Sequence, residues 1–258
     1  MDIKKKVLEQ FGKNAQEYVD SPIHSSRDDL EILEAWVKAE QPAAALDIAT
    51  GGGHAANTVA PWVGQLTALD LTPEVLHAAE TYIARNGHSN VAFVQGDAEA
   101  LPFAANTFEL AVCRIAAHHF PDVDAFVSEA VRVIKPGGCL LLLDNVAAEA
   151  DALDELYNEI EKRRDPSHAR AWKKSEWLRK VETAGLETEQ LLQFQKTFQF
   201  ESWCHRMKFD GEPRAALERM MLEQPAAVRR ALGLQTEDGK LVSFEGKYMM
   251  LRVRKPVV

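Results

Sequence analysis

Between residues 44 and 146, five short apolar runs, at 44–50, 65–69, 91–95, 108–113 and 139–146, alternate with stretches of helical periodicity. A run that is apolar throughout must be covered on both faces, so this alternation predicts parallel strands joined by crossover helices. Local signals mark the junctions. Thr72 can cap a helix whose first turn holds Pro73 and Glu74. A helix over 123–134 meets a stop at Lys135-Pro136-Gly137-Gly138. The first run holds an anomaly. Asp47 sits inside it, four residues ahead of three consecutive glycines at 51–53.

The flanks follow other rhythms. Residues 3–19 and 26–39 read as two amphipathic helices around a break at Ser21-Pro22. After residue 146 the pattern predicts helices over 149–164 and 174–184, then a strand over 186–198. A mostly helical stretch over 200–232 follows, broken at 211–213 and at Pro225, and then a long strand or hairpin arm over 240–254. The 258 residues suit one α/β domain. It would comprise a helical cap over 1–39, a core over 40–147 and a second half over 148–258, whose extra helices can cover a ligand crevice.

Net charge of −9 runs against the basic excess of non-specific nucleic-acid binders. The local basic groups Arg163, Arg164, Lys173 and Lys174 read as a solvated helix face. Cys113, Cys139 and Cys204 are odd in number and lack a CxxC pair, which signals neither a disulfide framework nor a zinc site. No apolar stretch approaches the length of a membrane span, and the first residues lack a signal-peptide core, so a reducing cytoplasm is the expectation.

Residues 51–56, GGGHAA, fit the dinucleotide pattern through Gly51, Gly53 and Ala56, with Asp70 about 20 residues on where a carboxylate can accept from ribose hydroxyls. That alone keeps a nicotinamide oxidoreductase open. Asp47 argues against it, because a diphosphate at the turn would meet like charge in a partly desolvated crevice. A cation would be favoured there. S-adenosylmethionine carries an ammonium and a sulfonium and no phosphate. Asp97 closes the third run, where it can accept from an adenine amine while the Ala98 N–H serves a ring nitrogen, with Leu71 and Leu101 flanking the purine. Acidic residues ending three successive strands converge at one sheet edge, the ligand edge of such folds.

The segments LDIATGGGH (46–54), ALDLTPEVL (68–76), VQGDAEALPF (94–103), FELAVCRIAAHHF (108–120) and EAVRVIKPGGCLLLLD (129–144) together resemble class I S-adenosylmethionine-dependent methyltransferases. Within them they are similar to the ubiquinone/menaquinone-biosynthesis branch. The resemblance is strong over about 40–150 and loose over the final 60 residues. It implies a doubly wound, Rossmann-like mixed sheet of seven strands, order 3-2-1-4-5-7-6 with the last antiparallel. It also implies cofactor contacts at Asp47, Ala49, Gly51, Gly53, Asp70, Leu71, Asp97 and Ala98, and at the backbone of Arg114. Ala49 stands where many members carry glycine. Tyr18 and His24 match an N-terminal cap over the cofactor.

Methyl transfer from a sulfonium is an in-line displacement that needs alignment and exclusion of water, and a base only where the acceptor must lose a proton. His118 and His119 are the candidate bases, with a cap or packing role as the alternative. Asp144 can orient an acceptor or bind nearby backbone. Arg163, Arg164, Asp165 and His168 form a polar cluster in a lid, where an arginine such as Arg163, together with His168, can meet a substrate carboxylate, or where internal salt bridges hold a lid hinge, the reading the sequence favours slightly. Trp172, Trp177, Phe194, Phe198, Phe200 and Trp203 can line an acceptor pocket or serve as core. There is no metal-ligand spacing and no GxSxG elbow. The expected activity is methylation of a small organic acceptor at C, O or N. The alternatives are a cofactor-binding sensor without turnover and the nicotinamide enzyme. A homodimer is compatible with the apolar faces of the later helices.

Overall fold

The computed structural model describes residues 3–13 and 27–257. Its strands are β1 Ala44–Ile48, β2 Gln65–Asp70, β3 Val91–Gln95, β4 Phe108–Arg114, β5 Ile134–Val146, β6 Glu187–Gln199, β7 Gln235–Glu237 and β8 Lys240–Arg254. The spatial order is β3-β2-β1-β4-β5-β8-β6, with β7 paired to β8. β1 to β5 pair in parallel, and β8 runs antiparallel to both β5 and β6. This is the expected order with one addition. The three-residue β7 makes a hairpin with the last strand, so the last strand is the eighth.

The helices are α1 Ile3–Lys13, α2 Arg27–Glu40, α3 His54–Val59, α4 Pro73–Arg85, α5 Val123–Val133, α6 Asp151–Arg164, α7 Lys174–Thr183, α8 Phe200–His205, α9 Gly211–Leu222 and α10 Ala226–Ala231. Strand alternation assigns them to layers. Leu140 and Leu142 pack with Phe126 and Val127 of α5 and Trp177 of α7. Leu141 and Leu143 pack with Leu33, Trp36 and Val37 of α2 and Ala56 of α3. Four leucines in a row therefore serve both faces of one strand. A further cluster of Ile160, Phe198, Phe200, Trp203, Leu217, Met221 and Phe244 ties α6, α8 and α9 to the ends of β6 and β8. It sets the inserted helices over the edge where the parallel strands end. Arg252 and Arg254 pair with Glu40 and Glu189, fastening β8 to α2 and β6.

Two local expectations change. Thr72 stands at the N-cap of α4, but its side chain makes no capping bond, and Pro73 alone sets the first turn. β5 begins at Ile134, immediately after α5, instead of at residue 139. Ile134 pairs with Phe108 and the register shifts before Cys139 meets Leu110. A Cβ on Gly138 would lie 2.6 Å from the Glu109 carbonyl oxygen, so only glycine lets the strands approach there. The helix expected over 3–19 is seen as α1, and the Ser21-Pro22 break lies outside the described residues. Among the described residues no helix is long and apolar enough to cross a membrane. Cys113, Cys139 and Cys204 are free and buried.

Leu141 is fully buried between β4 and β8, whereas Leu192 on β6 is 38% exposed. Leu141→Ala is expected to lose about 3 kcal/mol of stability in urea unfolding, and Leu192→Ala about 0.5 or less.

Candidate active site

The carboxyl ends of the strands open into one cavity of about 230 Å³. Along that edge the strands present, in spatial order, Asp97 just beyond β3, Asp70 at the end of β2, Asp47 in β1, Arg114 at the end of β4, Asn145 in β5 and Lys196 in β6, and all six line the cavity. α1 closes one side with Lys4, Val7 and Phe11.

The glycine turn is fixed by its acids. Asp70 Oδ2 accepts from the Gly51 N–H at 2.9 Å, and Oδ1 accepts from the Thr72 N–H at 2.9 Å. Asp47 Oδ2 accepts from the Thr50 hydroxyl at 2.7 Å. Both carboxylates are buried. Burial first, and then the charge of Asp70, push Asp47 up to about 7 against the Thr50 bond; burial likewise raises Asp70. Gly51 and Gly53 take positive φ, as do the non-glycine residues Ala49 (56°) and Ile115 (53°), which follow β1 and β4. A β-branched residue there is strained by about 1–3 kcal/mol, and the Ile115 N–H bond to the Leu143 oxygen at 2.7 Å holds it in place.

Asp97, the acid beyond β3, is already engaged. Asp97 Oδ1 accepts from the Glu99 N–H at 2.9 Å, and Lys4 of α1 donates to Asp97 Oδ2 at 2.5 Å and also pairs with Glu99. Leu71 and Ala98 line the cavity, while Leu101 packs into the core beneath it. Gly53 stands behind the cavity wall as the N-cap of α3. Arg114 pairs with Asp29 of α2, donating to it from Nε at 2.7 Å and pairing through Nη2 at 2.7 Å.

The opposite wall carries the histidines. His118 lies in a 3-10 turn after β4. Its Nδ1 is 2.6 Å from Asp144 Oδ1, and its backbone N–H donates to Asp144 Oδ2 at 2.8 Å. Asp144 also accepts from the Asn145 N–H. It is fully enclosed, does not line the cavity and holds His118 in place. Burial disfavours the imidazolium, but the charge and hydrogen bond of Asp144 outweigh it and hold His118 above its ordinary value. His119 behaves oppositely. Burial and the neighbouring His118 push it down to about 4. Its Nδ1 contacts the Ser167 oxygens, and Phe11 meets its ring edge at 5.1 Å.

The lid cluster divides. Arg163 points outward to Glu159 at 2.7 Å and is absent from the cavity wall. Arg164, the next residue, lines the cavity, pairs with Glu161 at 2.9 Å and stacks over Trp203 at 4.4 Å. His168 is buried behind the wall, its Nε2 2.9 Å from Asn158 Oδ1, and burial drives it down to about 2. Of the six aromatic candidates, Phe198 and Trp203 reach the cavity. Trp177 and Phe200 are core, Phe194 stacks on Tyr248, and Trp172 receives Lys180 and Arg170. Tyr18 and His24 lie outside the described residues. Sequence reasoning missed Lys4, Glu161, Lys196 and Arg206 as wall residues. Alternation along β6, Phe194-Lys196-Phe198, is the signal that could have found Lys196.

Comparison with known proteins agrees with this fold. The family model described as a methyltransferase domain matches residues 46–142. An uncharacterised methyltransferase, YcgJ, of Bacillus subtilis (strain 168) is 36% identical over 196 residues, 76% of this chain and 78% of that one. A candidate methyltransferase of Bacillus halodurans C-125, BH2331, superposes with a TM-score of 0.87 at 48% identity, covering 89% of this chain and 99% of that one. The demethylmenaquinone methyltransferase of Chlorobaculum parvum is 34% identical over 47% of this chain and 48% of its own length. The chain belongs to the S-adenosylmethionine-dependent methyltransferases.

The raised Asp47 fixes a pH dependence. In the unfolded chain its carboxyl ionises near 3.9, in the folded chain near 7. Between those values the folded state keeps a proton that the unfolded state has lost, so stability without cofactor falls as pH rises through this window. Asp47→Asn removes that contribution. Its melting temperature minus that of the wild type is expected to be more positive at pH 8 than at pH 5 in differential scanning fluorimetry. Parallel pH curves would refute the assignment.

Proposed function

We propose that the protein transfers the methyl group of S-adenosylmethionine to a small organic acceptor seated between the glycine turn and the His118 wall. The observation that carries this is the convergence of Asp47, Asp70 and Asp97 on one cavity whose far wall holds an oriented histidine–carboxylate pair. The residues fit the cofactor. Two buried carboxylates, Asp47 raised first by burial and then by the charge of Asp70, favour a cation, and diphosphate would meet the same charges repulsively.

In this reading the turn around Gly51 and the carboxylate of Asp47 receive the amino-acid end. Asp70, locked by two backbone N–H groups, keeps lone pairs for ribose hydroxyls, and Leu71, Asp97 and Ala98 hold the adenine. Because Lys4 sits on Asp97, α1 must share or yield that carboxylate when the base arrives. S-adenosylmethionine supplies a methyl group on a good leaving group, so the chain's task is to align the acceptor and exclude water. α1 and α8 close the cavity for that purpose.

His118 is the proton acceptor where the acceptor must be deprotonated. Asp144 fixes the tautomer with hydrogen on Nδ1, leaving Nε2, which makes no hydrogen bond among the described residues, as the basic nitrogen. His119, held neutral and turned to Ser167, packs beside it. The pair favours an enzyme over a sensor, since binding alone needs no oriented base.

Isothermal titration with S-adenosylhomocysteine tests the cofactor site. Asp70→Ala and Asp97→Ala are each expected to weaken binding about 10- to 100-fold, the range for hydrogen bonds to charged groups; unchanged affinity in both would displace the ribose and adenine from these positions. Turnover, followed as S-adenosylhomocysteine released in a metabolite extract, is expected to rise with pH through a transition above 6.5, where His118 loses its proton. His118→Ala should lower it about 100- to 10,000-fold. Asp144→Asn removes the charge that supports the imidazolium, so its transition moves to lower pH.

A further inference from the structure

The ligand edge is electrically divided. β3, β2 and β1 end in acids, whereas beyond them stand Arg114 and, across the sheet, Lys196. Most cations on the cavity wall are balanced. Lys4 rests on Asp97 and Glu99, Arg114 on Asp29, and Arg164 on Glu161. Lys196 is the exception. It is half-buried, and no carboxylate lies within ion-pair distance of it among the described residues. Burial first, then the neighbouring positive charges of Arg114 and Arg206, pull it down to about 8. The acid that opposes this, Asp29, is already paired with Arg114. The Lys196 ammonium stands 5.9 Å from the Phe198 ring, which packs beside Trp203, with Arg164 stacked on the far face of the group.

A half-buried cation among cations is unfavourable unless an anion joins it. β6 nevertheless places Lys196 here by alternation, with Phe194 and Phe198 on the same face. Its register sets it opposite Gly246, one pair beyond Lys247, the partner of Val146. That position lies past the end of β5, over the half of the cavity away from the three acids. Resting on the methyltransferase reading, the geometry points to an anion subsite formed by Lys196 and floored by Phe198 and Trp203. It receives an acceptor made of an apolar, planar body carrying a carboxylate or phosphate.

The subsite accounts for two features together. The three acids hold the cationic cofactor at one side of the edge and the Lys196 ammonium holds an anionic acceptor at the other, so the two ligands are drawn to different places. The aromatic floor supplies the apolar contact that a neutral body needs.

The test uses probes that share a fluorinated ring and differ in the charged or neutral group it carries. 4-Fluorobenzoate, 4-fluorophenyl phosphate and 4-fluorobenzyl alcohol are titrated into the full-length protein and read by fluorine NMR, with and without saturating S-adenosylhomocysteine. Either anion is expected to bind at least about tenfold more tightly than the alcohol, the gain of roughly one charge-assisted hydrogen bond; the stronger of the two names the oxyanion. Lys196→Met should abolish this preference, Lys196→Arg should keep it, and the affinity for S-adenosylhomocysteine should change less than twofold in both. Lys196→Met should also melt no lower than the wild type, because an unbalanced charge has been removed. Equal binding of the alcohol and both anions, or a preference that survives in Lys196→Met, overturns the subsite. Failure of S-adenosylhomocysteine to bind would instead overturn the cofactor reading, and the fluorine lines would judge the anion preference separately.

Discussion

Two carboxylates withdrawn from water at the ends of neighbouring parallel strands are the constraint on which the site turns. Asp47 and Asp70 are placed by the register of β1 and β2, and neither can leave without breaking the glycine turn they brace. Their repulsion raises the proton affinity of Asp47 in the folded chain. A cationic ligand removes that repulsion, whereas an anionic one adds to it. The glycine pattern alone fits two cofactor classes; buried charge separates them.

The same economy of placement governs the far wall. β4 and β5 are hydrogen-bonded neighbours, with Arg114 opposite Leu143. The residues that continue each strand therefore stay side by side, and His118 and Asp144, 26 residues apart in sequence, meet at 2.6 Å. The left-handed turn at Ile115 is what swings the chain after β4 back over the strand ends. The strained backbone at Ala49 and Ile115 thus sits where the chain must reverse over a ligand.

Much of the core was legible because its signals are local. Apolar runs with helices between them can form only covered parallel strands, and acids closing three of those runs must share an edge. The misread details depend on partners. Lys135-Pro136-Gly137-Gly138 resembles a helix stop followed by a loop, yet Gly138 admits the Glu109 carbonyl and the segment becomes strand. Which of Arg163 and Arg164 faces the cavity is a 100° rotation about α6, decided by how Ile160 and Tyr157 of that helix bury. That Asp144 is enclosed beneath the ring of His118 depends on how the turn after β4 folds back, which the sequence pattern does not carry. The charge of Lys196 became informative only once β8 had set the register of β6.

The position of β8 also bears on how the chain assembles. Among the described residues β6 has no sheet neighbour except β8, and the outer edge of β5 is likewise closed by it. A nascent chain that has passed residue 199 therefore carries one strand with an open edge and another with no partner at all, until residues 240–254 leave the ribosome. Such unsatisfied edges invite pairing with other chains, and β8 must pair with β6, about 45 to 65 residues back, and with β5, about 100 to 115 back, and such non-local pairing is intrinsically slow. The vulnerable interval falls late, and the salt bridges of Arg252 and Arg254 to Glu40 and Glu189 are the latch that ends it.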